Sequence, residues 1–336
     1  MTRQLLVGLG LLAAASLTHA QTSSVSIYGM LDIGMRHLPD LAVSEDGITR
    51  VDDASRSRMG YRIKEDLGGG LSAFARLEHS LRVDTGQQRD PVKYFDDKSW
   101  VGLDHVAYGN IALGRLRSPI DEMTSGSRFE AFEGFSLAAA VGRAGRSDDA
   151  WDNGVYYITP SFNGFRAGVG GRFGEGTAHN ARGVHAEYTK GPLDIGLAWQ
   201  VDGETLSSTK TSWGGGMSWR FSAFSLFGTY VRTSDIGATN AGKAYTATLG
   251  VRVPAGPGEF RAAARKVDND RIAGRTSHAG DVDTTHIGIG YHYPMSKRTS
   301  INASLVRQTR KTFAASGATA TDRQGIGSEL ALRVYF

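Results

Sequence analysis

The sequence has no cysteine, only 8 prolines in 336 residues, and almost no charge imbalance, with 38 basic against 34 acidic side chains. Without thiols, a disulfide-stapled module and a Cys-ligated zinc or iron–sulfur centre are excluded. Charged residues are 21% of the chain and are spread along it, which is not the composition of a disordered tail. A formal charge of +4, dispersed rather than clustered, leaves no electrostatic footprint for a nucleic-acid partner. Beyond residue 20 no uninterrupted apolar run approaches ~18 residues, so a bundle of transmembrane helices is excluded as well. G-x-S-x-G, H-E-x-x-H and P-loop motifs are absent, and His286 and His292 share a strand parity without a third ligand, so no cofactor or metal is implied.

Residues 1–20 read as a secretory signal peptide. Arg3 supplies the basic start, Leu5 to Leu17 the apolar stretch, and Thr18-His19-Ala20 the small residue before cleavage. The expected mature domain is 21–336.

The dominant period past that point is two. Val25, Ile27, Gly29, Leu31, Ile33 and Met35 fall on one face of a strand, with Ser26, Tyr28, Met30, Asp32, Gly34 and Arg36 on the other. Leu71, Ala73, Ala75 and Leu77 alternate with Ser72, Phe74, Arg76 and Glu78 in the same way. Connections alternate in length too. Tight turns such as Gly68–Gly70, Lys190–Pro192 and Met295–Thr299 are interleaved with long polar links such as His37–Ser55, Thr85–Phe95 and Gln308–Arg323. That combination predicts an all-β fold, a transmembrane up-and-down antiparallel β-barrel of about sixteen strands. The expected strands are roughly 24–37, 56–67, 71–84, 96–104, 110–116, 153–161, 165–173, 183–190, 193–201, 211–221, 224–233, 243–253, 259–267, 284–294, 300–307 and 324–336. On the apolar parity of the six clearest strands the only titratable groups are Glu65 and His79. A charge facing the bilayer midplane costs ~2–4 kcal/mol, so this segregation suits an apolar outside and a wet lumen. A soluble β-sandwich also alternates, with the opposite face buried.

The chain ends Glu329-Leu330-Ala331-Leu332-Arg333-Val334-Tyr335-Phe336, an apolar half-strand closed by an aromatic. Together with Ser24-Val25-Ser26-Ile27-Tyr28-Gly29, Ser57-Arg58-Met59-Gly60-Tyr61, Glu65-Asp66-Leu67-Gly68-Gly69-Gly70-Leu71, Val101-Gly102-Leu103, Leu113-Gly114-Arg115 and Pro160-Ser161-Phe162-Asn163-Gly164-Phe165, it resembles the general diffusion porins of Gram-negative (proteobacterial) outer membranes. The resemblance implies a water-filled homotrimeric barrel in outer-membrane lipid. It also implies that Phe336 is recognised by the barrel assembly machinery, and that small hydrophilic solutes diffuse through the lumen.

The longest connection, Arg117 to Asp152 after the fifth expected strand, has an apolar middle from Phe129 to Val141, and a link of that length is expected to be functional. By resemblance it folds inward as a constriction loop carrying Asp121, Glu122, Glu130 and Glu133. Opposite it the expected basic wall is Arg58, Arg62, Arg76, Arg82, Arg115 and Arg143. Arg115 shares parity with Ile111 and Leu113, so it needs a bulge or a strand end to point inward. Opposed charges across a narrow watery gap orient and select solutes, and the surplus of arginines predicts a weak preference for anions. A substrate-specific channel and a β-rich surface adhesin are the other readings. Asp268, Asp270, Asp281 and Asp283 on one external loop are candidates for divalent ions bridging lipopolysaccharide, with plain solvation the commoner role.

Overall fold

The computed structural model describes residues 23–39, 41, 46–124, 126–139, 150–176, 179–203, 209–236, 242–270 and 281–336. Residues 1–20, read from the sequence as a signal peptide, and Arg143 lie outside them. The first strands are β1 (Ser23–Pro39), β2 (Gly47–Asp53), β3 (Arg58–Gly68), β4 (Leu71–Ser80), β5 (Lys98–His105) and β6 (Gly109–Arg117). Two short helices follow, α1 (Pro119–Thr124) and α2 (Gly126–Phe129). Then come β7 (Ala150–Ile158), β8 (Phe165–Arg172), β9 (Ala181–Lys190), β10 (Leu193–Gly203), β11 (Thr209–Arg220) and β12 (Ser225–Ile236). The last five are β13 (Gly242–Ala255), β14 (Gly258–Asp270), β15 (Val282–Pro294), β16 (Thr299–Phe313) and β17 (Thr319–Tyr335).

Each strand from β3 onward pairs antiparallel with the next, and β1 closes the ring with β3 on one edge and β17 on the other. The result is a closed sixteen-stranded barrel with one extra strand. That strand, β2, lies where the sequence pattern reads as a loop. Ile33–Pro39 of β1 pair with β2, while Ser23–Met30 pair with β3 along the same edge, so β2 prolongs β3 past a break at residues 54–57. Ile48 and Val51 stand three apart, which hides β2 from any search for a two-residue period. Its partner is simply the overlong β1.

The barrel is inverted relative to a soluble protein. In β1, Val25 and Met35 are 68% and 62% exposed, whereas Met30 and Asp32 are 1% and 0%. In β17, Leu330 and Leu332 are exposed and Glu329 and Arg333 are buried. Apolar residues outside and charged ones inside is the arrangement a hydrocarbon surround demands, since every backbone group is satisfied within the closed sheet. No helix among the described residues is long and apolar enough to cross a membrane. One rim carries the tight turns. At Gly68, Gly69 and Gly70 φ is 80°, 63° and 82°, a left-handed run that side chains resist.

Several strands outrun the expected boundaries. β16 and β17 extend to Phe313 and back from Thr319, reducing the link between them to residues 314–318. Their upper registers pair Arg310 with Arg323 and Lys311 with Asp322. Above the apolar belt a strand needs backbone partners but no oily face, so the pattern stops before the strand does.

Candidate functional site

Inside the ring, the segment after β6 packs against the inner wall. Ser118 caps α1, its Oγ accepting the Asp121 amide at 3.2 Å, with Pro119 in the first turn where no amide is missed. The Ile120 amide donates to Gln200 Oε1 at 2.9 Å, fixing α1 to β10. Arg128 reaches Asp194 at 2.5 Å and also pairs with Glu187. Burial lowers the affinity of the Arg128 guanidinium for its proton, but the two carboxylates outweigh burial and raise it. Farther on, Arg252 donates to the carbonyls of Ala131 at 2.6 Å and Glu130 at 3.0 Å. Leu137 donates its amide to Glu329, and His286 Nε2 lies 3.1 Å from the Ala138 carbonyl.

Small residues clear the bed for this segment. A Cβ at Gly216 would collide with the Phe129 ring, and one at Gly288 with the backbone oxygen of Ala138. Both glycines sit on the inward parity of their strands, Gly216 beside exposed Met217 and Gly288 between exposed Ile287 and Ile289. Gly288→Leu is therefore expected to cost about 1–3 kcal/mol by overpacking and to lower single-channel conductance as residues 136–139 move toward the axis. Unchanged conductance would mean that the segment does not border the conducting path.

Between this segment and the β3–β7 wall lies a cavity of about 1290 Å³. Of the expected basic residues, Arg58, Arg62 and Arg76 line it. Arg82 does not: it sits in the link after β4, its amide donating to the Gln87 carbonyl. Arg115 does not either. The register irregularity between Gly114 and Leu116 puts its extra residue in β7, between Gly154 and Trp151, so β6 keeps its parity and Arg115 stays opposite Ser99 on the outer side, paired with Asp152 at 2.5 Å. Leu116, on the inward parity with Ala112, and Arg117, at the end of β6, border the cavity instead. All four expected acidic residues border the cavity. Asp121 pairs with Arg117 at 2.6 Å and Glu133 with Arg252 at 3.2 Å. Glu130 is turned away, its carboxylate accepting the amides of Phe132 and Gly134, so it shapes the segment's own turn. Phe336 ends the barrel beside β1, its amide bonded to the Gly29 carbonyl at 3.1 Å and its ring covering Gly29.

Glu78, absent from the expected set, organises the wall. Fully buried on β4, it accepts from the Tyr28 hydroxyl and pairs with Lys98 at 2.6 Å, Arg76 at 3.4 Å and Arg58 at 3.8 Å. Asp97 is shared likewise among Lys98, at 2.6 Å, Arg56, at 3.4 Å, and Arg117, at 3.9 Å. Inward parity marked Glu78 as a lumen residue, but only the fold shows that one carboxylate serves three cations. Arg62 stacks on Tyr28 at 4.3 Å, and it has no ion pair among the described residues.

A closed barrel with an apolar exterior, a charged lumen and an inward segment defines the class of outer-membrane channels. The chain belongs to the Gram-negative porin family, whose profile matches residues 8–312. It is 31% identical to outer membrane porin protein 32 of Delftia acidovorans, over 89% of this chain and 88% of that one. An outer membrane porin protein of Bordetella pertussis is 27% identical over 90% and 93% of the two chains. Among solved structures, an anion-selective porin from Comamonas acidovorans superposes with a TM-score of 0.76 at 26% identity, covering 94% of this chain and all of that one.

Proposed function

We propose that this porin lets small hydrophilic solutes and ions diffuse passively across the outer membrane, with a preference for anions, and that it works as a homotrimer. The observation that carries the preference is how the lumen charges are distributed. Two carboxylates of the inward segment are occupied by neighbouring cations, Asp121 by Arg117 and Glu133 by Arg252 and Arg261, which leaves Glu122 exposed at the cavity. The facing wall presents Arg56, Arg58, Arg62, Lys64, Arg76, Lys98 and Arg117 against the carboxylates Glu78, Asp97 and Asp104. Excess positive potential in a low-dielectric cleft concentrates anions and repels cations. The anion selectivity named for the Comamonas protein agrees with this.

In the same reading the inward segment is the constriction and Asp121, Glu122 and Glu133 border its opening. Phe336 is the mark read by the barrel assembly machinery, and the outer face contacts lipid and lipopolysaccharide. No covalent bond is made or broken.

Reversal potentials across a planar bilayer under a chloride salt gradient test the proposal. Anion preference is expected at about 0.15 M salt and should fade toward 1 M, where the screening length drops from ~8 to ~3 Å. Cation preference at the lower concentration would overturn it.

A further inference from the structure

One corner of the lumen is neither simply watery nor simply basic. Arg62 of β3 and Arg76 of β4 stand directly opposite each other in the strand register, and like charges in that position work against pairing. The Tyr28 ring is shared between them, 4.3 Å from one guanidinium and 5.0 Å from the other. Tyr28 Oη accepts from Arg76 Nε at 2.6 Å and donates its own hydrogen bond to Glu78. Glu78 is already divided among Arg58, Arg76 and Lys98, which leaves the Arg62–Arg76 pair short of negative charge.

Beside the pair is an apolar surface that a water-filled channel does not require. Trp100 stands opposite Arg76 on β5 and meets Phe74 edge to face, with ring centroids 5.1 Å apart. Both rings border the cavity, and with Ile158 they back onto a buried cluster that includes Leu116, Trp151 and Tyr156. In a soluble protein such rings would be hidden; here they face solvent next to two cations. A pocket of apolar surface with a few convergent polar groups is a ligand site by its chemistry.

We propose that this corner is a subsite for aromatic monocarboxylates, the carboxylate bridging Arg62 and Arg76 and the ring lying against Trp100 and Phe74. Guanidinium groups match carboxylate geometry through paired donors, and aromatic faces add contact that a small aliphatic acid cannot make. The inference rests on the channel reading above and narrows it from anions in general to one class of solute.

The test uses the full-length protein in planar bilayers, carrying chloride current, with benzoate, acetate and benzyl alcohol added in turn. Benzoate is expected to interrupt the current with an apparent affinity about fivefold or more above that of acetate, a ratio set by ring contact. Benzyl alcohol, which has the ring without the charge, should leave the current alone. Trp100→Ala and Arg62→Gln should each bring benzoate down to the level of acetate. Equal action of benzoate and acetate on the unaltered channel overturns the subsite, as does a benzoate advantage that survives both substitutions. If a variant yields no channels, the comparison in the unaltered protein decides. Loss of the chloride preference with benzoate discrimination intact would refute the selectivity reading instead and leave the subsite standing.

Discussion

Replacing Arg333 with methionine is expected to lower the stability of the barrel by about 3–5 kcal/mol, because it strands a buried charge. Arg333 of β17 and Asp32 of β1 are directly opposite across the seam where the last strand meets the first. Their side chains are 1% and 0% exposed, and both Nε and Nη2 of Arg333 reach Asp32 Oδ2, at 2.9 and 2.8 Å. The same guanidinium donates to the Phe135 carbonyl at 2.7 Å and stacks on the Phe135 ring, so it ties the inward segment to the seam. Asp32 also accepts from Ser55 Oγ at 2.6 Å and its amide donates to Ser57 Oγ, which pins the break between β2 and β3. Without Arg333 the carboxylate keeps only that hydroxyl. Urea unfolding of the detergent-solubilised protein, followed by far-ultraviolet circular dichroism, measures the loss. Adding Asp32→Asn to the methionine variant should recover part of it, since the uncompensated charge is gone. A loss below about 1 kcal/mol would place the pair among ordinary exposed ion pairs, which burial argues against.

The largest functional change is expected when Arg58, Arg62 and Arg76 are replaced together by glutamine. Each removes a cation from the face of the cavity that Glu78 cannot neutralise alone. Two unit charges ~4 Å apart in water interact by about 1 kcal/mol, roughly a fivefold effect on local ion concentration. The triple variant should therefore lose about fivefold or more of its anion-over-cation permeability ratio at about 0.1 M salt, with the sum limited by screening. Single-channel reversal potentials give the ratio directly. The control is Arg82→Gln, a residue in the link beyond β4 that does not line the cavity; it should behave as the unaltered protein does. A triple variant that selects as before would mean that ions pass along another surface of the lumen.

The comparison of Arg58 with Arg115 shows where a linear reading fails. Both follow a strand motif of the family, and both were expected on the basic wall. Strand parity places Arg58 inward without further information, because β3 runs regularly from Arg58 to Asp66 opposite β4. For Arg115 the outcome depends on where a one-residue irregularity falls. The extra residue falls in the partner strand β7, between Gly154 and Trp151, so β6 keeps its parity and Arg115 its outward face, while Arg117, at the strand end, borders the cavity. A bulge re-aims side chains only on the strand that carries it, and nothing in the residue types around Gly114 announces which of two paired strands that is. Glu130 and Glu133 illustrate the same limit in the inward segment. They are three residues apart in one turn, yet Glu130 accepts from the amides of Phe132 and Gly134 while Glu133 reaches across to β13 and β14. Residue type made both candidates for the cavity; the turn, with φ of 61° at Glu133, decided which carboxylate faces outward from it.

What the amino-acid order alone determined is the barrel: its strand number, its alternation of tight turns and long links, and which face is oily. Those properties follow from a period of two enforced along every stave by contact with hydrocarbon, a constraint local enough to be read residue by residue. What only the tertiary structure decided is the charge on the channel wall. Glu78 gathers Tyr28, Arg58, Arg76 and Lys98 from four different strands, and Arg252, from a fifth, turns Glu133 away from them. Electrostatics depends on distances between side chains remote in sequence, and closing the sheet into a ring is what sets those distances.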